Sequence, residues 1–90
     1  PGVSERDARV VNPLGLHARP AAQFVKLAAG FQSHVEVVKD GVPVNGKSIM
    51  GVMILAAECG SSITVRAEGA DAEAAVDALI RLVSSGFGET

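Results

Sequence analysis

Tryptophan and tyrosine are absent from this chain of 90 residues, and phenylalanine occurs only three times. A binding face that stacks bases on aromatic rings cannot be built from that supply. Net charge is −2, so no basic field exists to hold a phosphate backbone, and nucleic acid is excluded as a partner. The longest apolar run, Ile49 to Ala57 with Gly51 inside it, falls well short of a bilayer span, which argues against a membrane role. The one cysteine, Cys59, permits no internal disulfide. With only two histidines beside it, at no recognised ligand spacing, neither a metal nor a cofactor is expected. No signal-like segment opens the chain, and a reducing cytoplasm is the expected compartment. What is present is 48% hydrophobic and 20% charged residues, the balance of a folded domain. A single domain over 1–90 is expected, with a core of Val, Ile, Leu and Ala and no room for a large catalytic cleft.

Periodicity divides the chain into seven elements. Asp7 to Asn12 reads as a short strand ended by Asn12-Pro13. Ala18 to Ala29 reads as a helix, with Ala21, Phe24, Val25, Leu27 and Ala28 on one broad side and Gly30 at the C-cap. His34 to Lys39 alternates like a half-buried strand. Asp40-Gly41 favours a two-residue turn with positive φ at both positions, which sets Lys39 opposite Val42 and Val37 opposite Val44. Ser48 to about Glu58 reads as a second helix stopped by Gly60. Ile63, Val65 and Ala67 alternate with polar residues in a fourth strand. Ala72, Val76, Leu79, Ile80 and Val83 make the apolar stripe of a last helix, where Asp71 and Glu73 suit the positive end of its dipole. Glu89-Thr90 is expected to fray.

The order βαββαβα predicts an α+β fold with three helices over one antiparallel sheet. Pro43 cannot donate to ladders on both sides, so the third strand belongs at the sheet's edge. That placement speaks against the ferredoxin-like alternative, in which the third strand is central.

Chemistry concentrates at Gly15-Leu16-His17-Ala18-Arg19-Pro20. His17 falls at or just before an N-cap, where the following N–H groups have no intrahelical partner. Those groups and the helix dipole make a site for a doubly charged phosphoryl group. Arg19 adds a permanent planar cation, and Pro20 costs little in a first turn. The same field favours a neutral, nucleophilic imidazole. A phosphoramidate on such a ring gives up its phosphoryl group readily, which suits transfer onward. No carboxylate neighbours His17 in the sequence to serve as a base. A plain capping role for His17, with Arg19 a solvated charge, is the competing reading. His34, on a strand flank, reads as a surface residue.

The stretches Gly-Leu-His-Ala-Arg-Pro-Ala-Ala-Gln-Phe-Val at 15–25 and Asn-Gly-Lys-Ser-Ile-Met-Gly-Val-Met at 45–53 resemble the HPr family, the phosphocarriers of the bacterial phosphoenolpyruvate-dependent phosphotransferase system. The resemblance runs over nearly the whole chain. It implies an open-faced β-sandwich with strand order 1-4-2-3. It also implies that Enzyme I phosphorylates His17 on Nδ1, and that His17 passes the group to a histidine of a IIA domain. Arg19 would steady the phosphoryl group, and Pro20, with Gly15, Leu16 and Ala18, would shape the active-site loop. Ser48 matches the family's regulatory serine, the target of a dedicated kinase and phosphorylase in some bacteria, and it is also expected to cap the second helix. The family docks through its first two helices, which here supply Ala18, Gln23, Lys26, Lys47, Ile49, Met50 and Met53. Transcriptional regulators are further partners the resemblance allows, and a monomer is expected. The ending Ser85-Gly86-Phe87 is similar to carriers of the nitrogen-related branch, so sugar uptake and nitrogen-linked regulation both stand as roles.

Two other classes of function are weighed beside the carrier. Gly41 to Ser48 fits the nucleotide-binding expression GxxxxGK[ST]. A phosphate-cradling loop needs successive inward N–H groups, whereas Val42 and Val44 favour extended backbone and Pro43 removes a donor. A non-catalytic regulatory module is the other alternative, either a ferredoxin-like ligand sensor or an HPr paralogue that only binds regulators.

Overall fold

The computed structural model describes residues 2–89. Strand β1 (Gly2–Arg9), helix α1 (Ala18–Ala29), strands β2 (His34–Lys39) and β3 (Val42–Asn45), helix α2 (Ile49–Ile54), strand β4 (Ser62–Gly69) and helix α3 (Ala72–Ser84) follow in that order. A short 3-10 turn, Gly86–Gly88, closes the chain. The strands form one sheet in the order β1-β4-β2-β3, and every neighbouring pair is antiparallel. The fold is therefore α+β in the expected 1-4-2-3 order, and the ferredoxin-like alternative is excluded because β3 lies at an edge.

The hairpin carries the register read from the sequence. Asp40 and Gly41 both take positive φ, 51° and 79°, so Lys39 pairs with Val42 and Val37 with Val44. Because Val42 to Asn45 is extended edge strand, no loop exists there to cradle phosphate, and the nucleotide-binding reading of 41–48 falls. Alternation along β2 and β4 buries Val35, Val37, Ile63, Val65 and Ala67 on one face. Phe24, Ala21 and Ala28 of α1, Val52 of α2, and Val76, Leu79 and Val83 of α3 close over that face.

Two boundaries differ from the periodicity. The first strand runs over Gly2–Arg9 rather than Asp7 to Asn12, because its pairing with β4 extends from Gly2↔Gly69 to Arg9↔Ser62. Only Ala8 of its eight residues is buried, so pairing rather than burial makes it a strand, and no apolar alternation betrays it. Val10 is buried beyond its end and exchanges backbone bonds with Ser61 and Gly60, at 2.8 and 2.7 Å. The second helix stops at Ile54, four residues before Glu58. Ala56 takes φ 50°, a left-handed conformation that ends a right-handed helix and costs roughly 1–2 kcal/mol in a residue with a Cβ. The turn leaves Ala57 buried with its carbonyl accepting from the Leu16 N–H at 2.8 Å. The chain past α2 is thus spent on holding the loop before α1.

Asp71 stands at the start of α3 as expected, and its carboxylate takes on a second use. At this N-cap its side chain makes no cap bond. Its carboxylate instead accepts from the backbone N–H groups of Gln32 and Ser33, at 2.8 and 2.9 Å, and from the Ser33 hydroxyl. These bonds, the hydroxyl's first among them, hold its carboxyl below the ordinary aspartate range.

Candidate functional site

The loop from Val10 to His17 is built of backbone bonds. Gly15 N–H donates to Asn12 C=O at 3.1 Å, and His17 N–H to Gly15 C=O at 2.9 Å. Gly15 takes φ +68° and presses on the Ala57 carbonyl and Glu58 Cα so closely that a Cβ would collide with both. Glycine is required there by conformation and by space alike. Leu16 is buried beneath the loop, which turns the next residue outward.

His17 is the N-cap of α1, with extended backbone (φ −73°, ψ −173°) and no side-chain cap bond. The plain capping reading therefore fails, since the ring is not spent on its own helix. The first intrahelical bond runs from Ala21 N–H to the His17 carbonyl at 3.0 Å. Ala18 and Arg19 thus present amides with no intrahelical acceptor, and Pro20, buried in the third helical position, has no N–H to add. Ala18 and Arg19 are exposed. Arg19 makes no ion pair among the described residues. Pro13, Leu14, His17, Arg19, Gln23, Phe87, Gly88 and Glu89 line a shallow cleft of about 460 Å³.

Glu89 is the residue that sequence reasoning missed. Far from fraying, it brings its carboxylate to His17 Nε2, 3.1 Å from Oε2 and 3.4 Å from Oε1. Thr90 lies outside the described residues. Asn12, almost wholly buried, donates through Nδ2 to the Gly15 carbonyl at 2.6 Å and to Glu89 Oε1 at 3.1 Å. Glu89 stands 72 positions from His17, a separation at which no local pattern could announce the contact.

The residues expected to meet partners are placed differently from one another. Met53 joins Leu14, Leu16, His17 and Glu58 in a groove beside the ring. Ile49 and Met50 are exposed on α2, and so are Ile54 on the same helix and Leu14 in the loop before α1, which periodicity did not single out. Gln23 belongs to the His17 cleft and also to a separate groove that holds Lys26, Leu27 and Leu82, so Lys26 flanks the site rather than lining it. Lys47 is tied down, its Nζ donating to the Phe31 carbonyl at 2.7 Å. Ser48 is the N-cap of α2 as expected, its Oγ accepting from Gly51 N–H at 3.1 Å.

A half-buried histidine before a helix start and an arginine in the first turn share one cleft at the start of α1. Residues 4–85 match the family model described as the PTS HPr component phosphorylation site, and the chain belongs to that family. It is 47% identical, over 94% of its length and 96% of the relative's, to the phosphocarrier protein HPr of Cupriavidus necator. Its fold is similar to that of HPr-C-His from Thermoanaerobacter tengcongensis, with a TM-score of 0.93, 47% identity and coverage of 97% of this chain and 98% of that one. An HPr dimer from the same organism matches with a TM-score of 0.77 and 52% identity, over 83% of this chain and 86% of that one.

Proposed function

We propose that this chain is a phosphoryl carrier that takes its group from phospho-Enzyme I onto His17 and delivers it to a IIA-type protein. The observation that carries the reading is His17 itself, an N-cap residue whose ring leaves its helix uncapped and faces a cleft shared with Arg19. In the forward step a ring nitrogen's lone pair attacks phosphorus while the donor's bond to phosphorus breaks. The helix-start amides and the Arg19 guanidinium meet the charge on the equatorial oxygens. Delivery reverses the roles, with His17 as leaving group. The chain needs no bound cofactor for this, and it turns over no small molecule by itself.

The partners dock, in this reading, on the apolar surface of Leu14, Ile49, Met50, Met53 and Ile54, which adjoins the ring through Met53. Gln23, Lys26 and Lys47 flank it. Ser48 serves as a regulatory phosphorylation site for a serine kinase and phosphorylase: a dianion added to this cap would lie beside the docking surface and repel an acidic partner. The carrier works in the cytoplasm as a monomer, in sugar uptake or in nitrogen-linked regulation. A purely regulator-binding role would use the same apolar surface, but it leaves the uncapped ring and Arg19 without a purpose.

The deciding experiment is incubation with phosphoenolpyruvate and Enzyme I. An acid-labile adduct of about 80 Da, one phosphoryl group, should form on the wild-type chain and be absent from His17→Ala. An adduct that survives the substitution would overturn the assignment.

A further inference from the structure

We infer that Glu89 is a positioning residue for phosphoryl transfer, one that fixes which nitrogen of His17 is the nucleophile. The inference rests on the carrier reading and deepens it. A carboxylate only accepts hydrogen bonds, so its approach to Nε2 requires that nitrogen to carry the ring's proton. A neutral imidazole has one such proton, which leaves the lone pair on Nδ1. Among the described residues Nδ1 has no hydrogen-bond partner of its own.

The contact is built, not incidental. Gly86, Phe87 and Gly88 take φ of 69°, 58° and 71° in succession, curling the chain back over the His17 loop. Phe87, buried at 4% exposure, anchors the curl despite the cost of a left-handed backbone in a residue with a Cβ. Glu89 N–H donates to the Gly86 carbonyl at 2.9 Å. Asn12 then holds Oε1 from inside, with its amide orientation set by two acceptors, Gly15 C=O and Glu89. Among the described residues its own buried Oδ1 has no partner, a desolvation cost accepted for that orientation.

In the reaction the Nδ1 lone pair forms the bond to phosphorus, and the donor's bond to phosphorus breaks. Nε2 keeps its proton throughout. The ring gains positive character as the bond forms, and the Glu89 carboxylate lies against the N–H where that charge is felt. On delivery the N–P bond breaks, its electron pair returns to Nδ1, and the ring is again neutral with its proton on Nε2. A carboxylate behind an imidazole acts in this way in acyl-transfer triads, fixing the tautomer and steadying the imidazolium without taking the proton.

The test compares the wild-type chain, Glu89→Gln and Glu89→Ala by nitrogen-15 NMR of the ring, at alkaline pH where imidazole is neutral. Phosphorylation rates with phosphoenolpyruvate and Enzyme I are measured alongside. The wild-type ring should show a protonated Nε2 and an unprotonated Nδ1. Glu89→Ala should lose that bias and accept phosphoryl about tenfold more slowly, the scale on which partners that orient a working histidine matter. Glu89→Gln should keep the tautomer through its amide oxygen and transfer at an intermediate rate. A Glu89→Ala protein with the wild-type tautomer, or with the wild-type rate, overturns the inference. A wild-type chain that accepts no phosphoryl group overturns the carrier reading instead, and the ring spectra still report whether Glu89 sets the tautomer.

Discussion

His17 and Ser48 occupy the same local position, the N-cap of a helix, and use it in opposite ways. Ser48 turns its hydroxyl onto the Gly51 N–H and completes α2. His17 leaves the first amides of α1 unfilled and turns its ring toward Glu89 and the cleft. A filled cap stabilises its own helix, whereas an open one keeps donors available for an anion from outside. The difference follows from reach as well as residue type. A serine hydroxyl sits one bond from Cβ and returns easily to the backbone two or three residues on, while the imidazole of His17 is drawn off by a carboxylate from the far end of the chain. Asp71, at the third N-cap, does neither. Its carboxylate leaves α3 to bind Gln32 and Ser33, joining the start of the last helix to the segment that follows the first.

The contrast can be broken in stages. Arg19→Ala removes the one permanent cation at the open cap, and phosphoryl transfer should slow by about 10²-fold, the loss usual for a single charge-stabilising donor. A rate unchanged from wild type would show that the amides suffice alone. Ser48→Ala empties the filled cap. The His17 adduct should still form, but stability should fall by about 1 kcal/mol, lowering the thermal midpoint by roughly 4–8 °C in a domain of this size. If the midpoint held, α2 would owe its ends to packing rather than to capping.

The third cap should show itself only in acid. The Asp71 carboxyl is held low in the folded chain, chiefly by the Ser33 hydroxyl and then by the Gln32 N–H. A folded-state value below the unfolded one means that the stabilisation is fully present above about pH 4, the ordinary aspartate range. It is lost as pH falls further through the folded-state value. Asp71→Asn should therefore flatten the acid limb of stability while leaving phosphoryl transfer at neutral pH as it was. Parallel acid unfolding curves for variant and wild type would count against this role.

Much of the fold is legible because it is written in short periods. The alternation of Val35 with Val37 and of Ile63, Val65 and Ala67 needs only neighbours two apart. The stripe from Ala72 to Val83 needs neighbours three and four apart. Asp40-Gly41 sets the hairpin register by conformation alone, and Pro43 assigns β3 to an edge by the donor it lacks. The site is legible to the extent that it is local: Gly15 through Pro20 lie together in the chain, so the open cap and its arginine can be read in one stretch. β1 is not legible past Asp7, because Glu5, Arg6 and Asp7 are exposed and only the partner strand makes that segment extended. The end of α2 is hidden for a similar reason. Ile54, Leu55 and Ala56 continue the helical pattern, and it is the demand of Leu16 for the Ala57 carbonyl that turns the chain away.

From its amino-acid order alone this protein already had its four strands, three helices, edge hairpin and a histidine preceding a helix with arginine close behind. Each of these follows from steric and hydrogen-bond preferences acting within a few residues. Tertiary structure decided where β1 begins, where α2 stops, what Asp71 holds, and that Glu89 meets His17. Those depend on segments distant in the chain arriving at one place, and such meetings are set by how the whole core packs rather than by any residue's own preference.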